Sequence, residues 1–177
     1  MDLSEHNKIL FTSRLMIRPM EIKDTDMVVE WRNQDYIREV SLNNKIISST
    51  EHKNWFKKSR DNRLDFIFFD KLSEESIGVI SFDRSKKQSF FSDYFELSKY
   101  IGNKNYFGKG LAYEACIALL DELNSNNKIM GIYAVTRSDN HANIGLNIKL
   151  GFKIFEGPIS KITTKKNFIL MHKDFNH

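Results

Sequence analysis

The 177-residue chain holds one cysteine, Cys116, two prolines and eight glycines, and each scarcity excludes something. A lone thiol forms no intrachain disulfide, so the fold rests on its core, as a reducing compartment requires. There is no Pro- or Gly-rich linker, no repeat and no low-complexity segment, and the chain reads as one domain over 1–177. No apolar run approaches the roughly 20 residues of a membrane helix. The first residues, Met1 to His6, carry neither a basic head nor an apolar stretch, so no signal peptide and a cytoplasmic location are expected. No His, Cys, Asp or Glu set has metal-ligand spacing, and no metal is expected.

Charge of one sign is also missing: 27 basic residues face 23 acidic ones, for a formal net charge of +4. The basic residues are scattered, and the short clusters Lys57-Lys58, Lys86-Lys87 and Lys165-Lys166 read as solvated surface. Neither nucleic acid nor a membrane is therefore expected as partner; the modest excess suits a polyanionic small molecule. A homodimer is left open. Hydrophobic residues make up 41% of the chain, enough for one sizeable core.

What is present centres on Asn105-Tyr106-Phe107-Gly108-Lys109-Gly110 and the segment Leu111 to Leu123. Leu111, Ala112, Ala115, Cys116, Leu119, Leu120 and Leu123 recur on one helical face, which places Cys116 in a core rather than at a reactive site. Before it, Tyr94 to Ile101 alternates Phe95 and Leu97 with Glu96 and Ser98, the pattern of a strand. Strand, glycine turn and helix together make an anion site, because the first N–H groups of a helix lack acceptors and the peptide dipoles leave positive charge there. An ordinary glycine turn is equally compatible with this stretch alone. The spacing excludes two familiar phosphate loops: Gly102 stands one residue too far from Gly108-Lys109 for a P-loop, and no Gly-x-Gly-x-x-Gly is present.

A second stretch, Asn140-His141-Ala142-Asn143 through Lys149-Leu150-Gly151-Phe152, completes a pattern. The two together resemble the acetyl-coenzyme A elements of the GNAT N-acetyltransferase superfamily, with Gly108 and Gly110 fitting its loop and Asn105 departing from its first position. Gly108 to Ala115 is similar to the ribosomal-protein-acetyltransferase branch. The resemblance covers nearly the whole chain and implies an α+β fold: a mostly antiparallel central sheet, splayed at a bulge, with helices on both faces.

The remaining segments fit that expectation. Arg14 to Arg18 reads as a strand, Asp24 as the cap of a helix through Met27, Val28 and Trp31, and Asp35 to Val40 as a short helix. Ser48 to Glu51 forms a capping box opening a helix with His52, Trp55 and Phe56 on one side. Leu64 to Asp70 and Ser76 to Phe82 form a hairpin, and Asp83 to Ser92 reads as a mobile connection bordering a substrate mouth. Lys128 to Thr136 is a strand, a helix closed by Gly151 follows, and Phe152 to Phe155 with Asn167 to His172 finish the sheet around Gly157-Pro158.

The resemblance implies that the main chain around Lys99, Tyr100 and Ile101 bonds the pantetheine arm and polarises the acetyl carbonyl. It further implies that the amides of Phe107, Gly108, Lys109, Gly110 and Leu111 hold the diphosphate, and that Asn140 and Asn143 belong to the cofactor site. Asn140 alone would read as a helix cap. Glu96, flanked by Tyr94 and Tyr100, is the candidate general base; a solvent-facing strand glutamate is the alternative. Asn147 stands where many superfamily members carry an acid tyrosine, which leaves water, Tyr133 or unassisted departure of the thiolate. His141 reads as a loop residue, and His172 and His177 as residues without a role.

Trp31-Arg32-Asn33, Ile37-Arg38 and Glu51-His52-x-x-Trp55-Phe56 resemble the subgroup that acetylates nucleotide-linked 4-amino-4,6-dideoxy sugars of the pseudaminic acid type. On that basis Arg32 and His52 would grip a diphosphate while Trp55 or Phe56 stacks on the base or lines the sugar pocket. Core packing is the alternative for Trp31, Trp55 and Phe56. An N-terminal (ribosomal) protein acetyltransferase and a non-catalytic coenzyme A-binding module remain as other functions.

Overall fold

The computed structural model describes residues 3, 6–84, 91, 93–125, 129–157 and 167–175. Eight strands form one open sheet: β1 (Leu10–Phe11), β2 (Leu15–Pro19), β3 (Arg63–Asp70), β4 (Ser76–Asp83), β5 (Tyr94–Ile101), β6 (Gly131–Arg137), β7 (Lys153–Ile154) and β8 (Phe168–Asp174), in the order β1-β2-β3-β4-β5-β6-β8-β7. Every neighbouring pair is antiparallel except β5 and β6. Those two are parallel and paired only over Tyr94↔Gly131, Phe95↔Ile132 and Glu96↔Tyr133. Beyond Glu96 the strands part, while β5 stays paired with β4 out to Ile101.

Helices cover both faces, as expected. Alternation on β5 sends Phe95 and Leu97 to one side, where α4 (Leu111–Asn124) buries Leu111, Ala115, Cys116, Leu119, Leu120 and Leu123 against them. The α5 helix (His141–Lys149) lies on the same side through Ile144 and Leu146. On the opposite side α1 (Thr25–Arg32), α2 (Asp35–Arg38) and α3 (Ser49–Ser59) bring Val28, Trp31, Ile37 and Phe56 onto Ile67, Phe69 and Val79. Ser48 and Glu51 form the expected capping box at the start of α3. Among the described residues no helix is long and apolar enough to cross a membrane.

Several boundaries differ from the sequence reading. Asp24 does not cap α1; it ends a 3-10 turn (Ile22–Asp24), and both carboxylate oxygens are taken by Arg18 at 2.7 Å, with Glu21 N–H also bonded to it. The short second helix stops at Arg38, β6 runs from Gly131 to Arg137, and the strand over 152–155 shrinks to the two residues of β7, at the sheet edge. The last strand is inserted between β6 and β7, so it extends to Asp174 along the full length of β6. His141 is the first residue of α5 rather than a loop residue. The expected connection lies mostly outside the described residues (85–90 and 92), as do Pro158, Lys128, His177 and the clusters Lys86-Lys87 and Lys165-Lys166.

Candidate active site

Gly108 and Gly110 have φ of 72° and 73°, a left-handed backbone that costs other residues about 1–2 kcal/mol. These turns bring the chain into α4 with Gly110 as N-cap and no side-chain cap. The first main-chain bond of the helix is Glu114 N–H to Gly110 C=O, and among the described residues the N–H groups of 108–113 donate to nothing. Unpartnered donors at a helix start with aligned dipoles fit a diphosphate. Lys109 lies over the Tyr106 ring at 4.9 Å.

Arg14, read only as part of a strand, fixes this turn. It donates to the Lys109 carbonyl at 3.0 Å and, through Nε, to Glu114 at 2.7 Å. Glu114 also accepts from Thr12, Ser13 and the Arg14 main chain. Burial alone would raise this carboxyl; the hydrogen bonds outweigh it and pull it down to about 2. No periodicity in the sequence carries this signal, because its partners lie about a hundred positions apart.

A cavity of about 940 Å³ opens where β5 and β6 part. Of the expected site residues, Arg32, His52, Trp55, Glu96, Lys99, Tyr100, Ile101, Phe107, Gly108, Asn140 and Asn143 all line it. Lys109, Gly110 and Leu111 do not; they form the turn beside it. Asn140 caps α5, its Oδ1 accepting from Asn143 N–H at 3.1 Å, while its amide N–H groups have no partner among the described residues. Asn143 reaches across to β6, donating to Thr136 at 2.8 Å, and so holds α5 against the parted strand.

Glu96 lies at the last position of β5 that pairs with β6 and is buried, not solvent-facing, with 6% exposure. Tyr133, its cross-strand partner, donates to it at 3.2 Å. Burial and the nearby carboxylate push the Tyr133 hydroxyl well above its usual range, so Tyr133 stands with the base rather than with a leaving group. Tyr94 turns away to Asp174, at 2.7 Å. Tyr100 is held protonated by burial on the α1/α3 side.

On that side the sheet becomes polar towards one end: Asp65 pairs with Ser81, and Asp83 with both Arg63 and Glu96. Arg63 donates to Asp65 at 2.8 Å and Asp83 at 3.1 Å, and Ser81 to Asp65 at 2.6 Å. Asp65 Oδ2 and His52 Nδ1 are buried with no hydrogen-bond partner among the described residues. Both residues line the cavity, where a ligand would satisfy them. Burial lowers His52, opposed by Asp65 and aided by Arg63 and Arg32, so a neutral ring is favoured. This row was missed in the sequence, although Leu64-Asp65-Phe66 and Ser81-Phe82-Asp83 alternate charge with apolar residues inside buried strands.

Arg32 donates to Ser41 at 2.8 Å and to the Asn43 carbonyl at 3.1 Å, which ties the α2–α3 connection to the cavity rim and leaves other N–H groups without partners among the described residues. Trp31 and Phe56 are core residues, whereas Trp55 is 40% exposed, with Arg63 over its ring at 4.9 Å.

The fold recurs among solved structures of low identity. Spermidine N-acetyltransferase from Vibrio cholerae, in complex with CoA and spermine, superposes with a TM-score of 0.77 at 17% identity, covering 93% of this chain and 97% of that one. Ribosomal-protein-S5-alanine acetyltransferase from Vibrio fischeri gives 0.76 at 16% identity, covering 96% and 97%. The ribosomal L7/L12 alpha-N-protein acetyltransferase bound to coenzyme A gives 0.77 at 14%, covering 95% and 98%. No curated protein matches the chain in sequence. Residues 14–153 match the acetyltransferase (GNAT) domain family, and the chain belongs to it: an N-acetyltransferase whose donor is acetyl-coenzyme A.

Proposed function

We propose that this enzyme acetylates the amine of a nucleotide-linked amino sugar of the UDP-4-amino-4,6-dideoxy type, for surface glycan synthesis. One observation carries the reading: Arg32, His52 and Trp55, from α1 and α3, line the same cavity as Glu96 and the cofactor turn. Arg32 offers its remaining N–H groups to a diphosphate, the exposed Trp55 ring stacks on the base, and His52 with Asp65 reads sugar hydroxyls.

Acetyl-coenzyme A supplies the acetyl group as a thioester. The N–H groups of 108–113 hold its diphosphate, and Asn140 donates its free amide hydrogens to the pantetheine arm. Past Glu96 the β5 edge has lost its β6 partner, so the main chain of Lys99, Tyr100 and Ile101 bonds the arm as a strand would and polarises the acetyl carbonyl. Glu96, steadied by Tyr133, takes a proton from the attacking amine, directly or through water.

A second reading, acetylation of a peptide N-terminus, draws on the carboxylates Asp65, Asp83 and Glu96, which suit a cationic amine. Thiol release from acetyl-coenzyme A separates the two. A UDP-4-amino sugar should raise it at least about tenfold over a ribosomal-type N-terminal peptide or spermidine, while stimulation by the peptide alone would replace the first reading with the second.

A further inference from the structure

The Lys99 side chain is unused so far; only its main chain has a role. Three residues beyond Glu96, it stands on the opposite side of the pleat and reaches the α4/α5 face. Its Nζ donates to Asn147 Oδ1 at 2.6 Å. Asn147 is fully buried on α5, its own amide hydrogen directed at Met171 Sδ, 3.7 Å away. Among the described residues Asn147 is the one hydrogen-bond partner of the Lys99 ammonium, and no carboxylate pairs with it. The titratable group facing it is Cys116 on α4, whose thiol burial raises to about 11 and which therefore stays neutral. Lys99 also lines the cavity.

An ammonium on an apolar face, held by one neutral amide with two N–H groups to spare, is costly unless something arrives to use them. On the proposed placement of acetyl-coenzyme A, the cofactor arm would run from the turn at Gly108 towards Glu96 along the open β5 edge. Its sulfur, one bond from the acetyl carbon, would then lie between that edge and α5, on the side where Asn147 holds the Lys99 ammonium.

We propose that Lys99 is the catalytic acid for the departing thiol, oriented by Asn147. The step balances without any other reactant. The amine nitrogen forms a bond to the carbonyl carbon and gives one proton to Glu96; the carbon–sulfur bond breaks, and Lys99 gives one proton to the sulfur. Water then returns a proton to Lys99 and removes the one on Glu96. Placing base and acid on opposite sides of one strand keeps them from neutralising each other. Burial lowers Lys99 from its usual value, which eases the transfer.

This inference rests on acetyl transfer, and one titration separates the two. Coenzyme A is bound to the wild-type protein and to Lys99→Met, and thiolate formation is followed by ultraviolet absorbance against pH. The methionine fills the same space without the charge, so the variant should fold. With the wild type, bound coenzyme A should show no thiolate at any pH below that at which free coenzyme A ionises, because the proton from Lys99 rests on the sulfur. In turnover, Lys99→Met should lower kcat about a hundredfold and change KM for acetyl-coenzyme A less than about threefold. A thiolate that forms in the wild-type complex below that pH, which would leave the proton on Lys99, or an unchanged kcat in Lys99→Met, would overturn the proposal. Failure of coenzyme A to bind the wild type would overturn the acetyl-transfer reading itself.

Discussion

Replacing Glu114 by Gln should loosen the turn that carries Gly108 and Gly110 and lower the stability of the protein. The carboxylate accepts from Thr12, Ser13 and Arg14 and is depressed from 4.5 to about 2. At about 1.36 kcal/mol per pH unit this is an upper figure of roughly 3.4 kcal/mol. Arg14 is 51% exposed, so solvent screening cuts the figure to about 1.5 kcal/mol. The folded value lies below the unfolded one, so this stability is fully present above about pH 5 and fades as pH falls towards 2. Urea unfolding of wild type and Glu114→Gln should therefore differ by about 1.5 kcal/mol at pH 7, or roughly 3–6 °C in Tm, with the gap narrowing below pH 5. A gap that is absent at pH 7, or that does not change with pH, would refute the assigned role of Glu114.

Other perturbations probe the cavity. Gly110→Ala places a Cβ no closer than 3.8 Å to Arg14, so its cost is the left-handed backbone, about 1–2 kcal/mol. That strain should shift the turn, and calorimetry should show about tenfold weaker acetyl-coenzyme A binding. Glu96→Gln should lower kcat about a hundredfold at neutral pH and less at high pH, where the amine is already deprotonated; an unchanged pH–rate profile would remove Glu96 as base. Arg32→Ala should raise KM for the acceptor and leave cofactor affinity unchanged, and a loss of cofactor affinity would place Arg32 in the wrong half of the site.

The parts legible in the sequence were those with local periodicity. Tyr94 to Ile101, the glycine turn and the α4 face sit where the pattern put them, because each is specified by residues a few positions apart. Glu96 was named from the sequence, but its burial was not legible, since that depends on Tyr133 and on the parting of two strands. The Asp24 cap failed because Arg18, across a turn, outcompeted the helix N–H groups for its oxygens. The links from Arg14 to Glu114 and from Lys99 to Asn147 were invisible for the same reason: they join distant elements and carry no spacing rule.

Calorimetric titration of acetyl-coenzyme A into the wild type, Gly110→Ala and Arg32→Ala tests most directly whether the α4 turn holds the donor. One molecule should bind per chain, about tenfold more weakly after Gly110→Ala and equally after Arg32→Ala. No binding to the wild type, or equal affinity in the Gly110 variant, would contradict a diphosphate seated on the amides of 108–113.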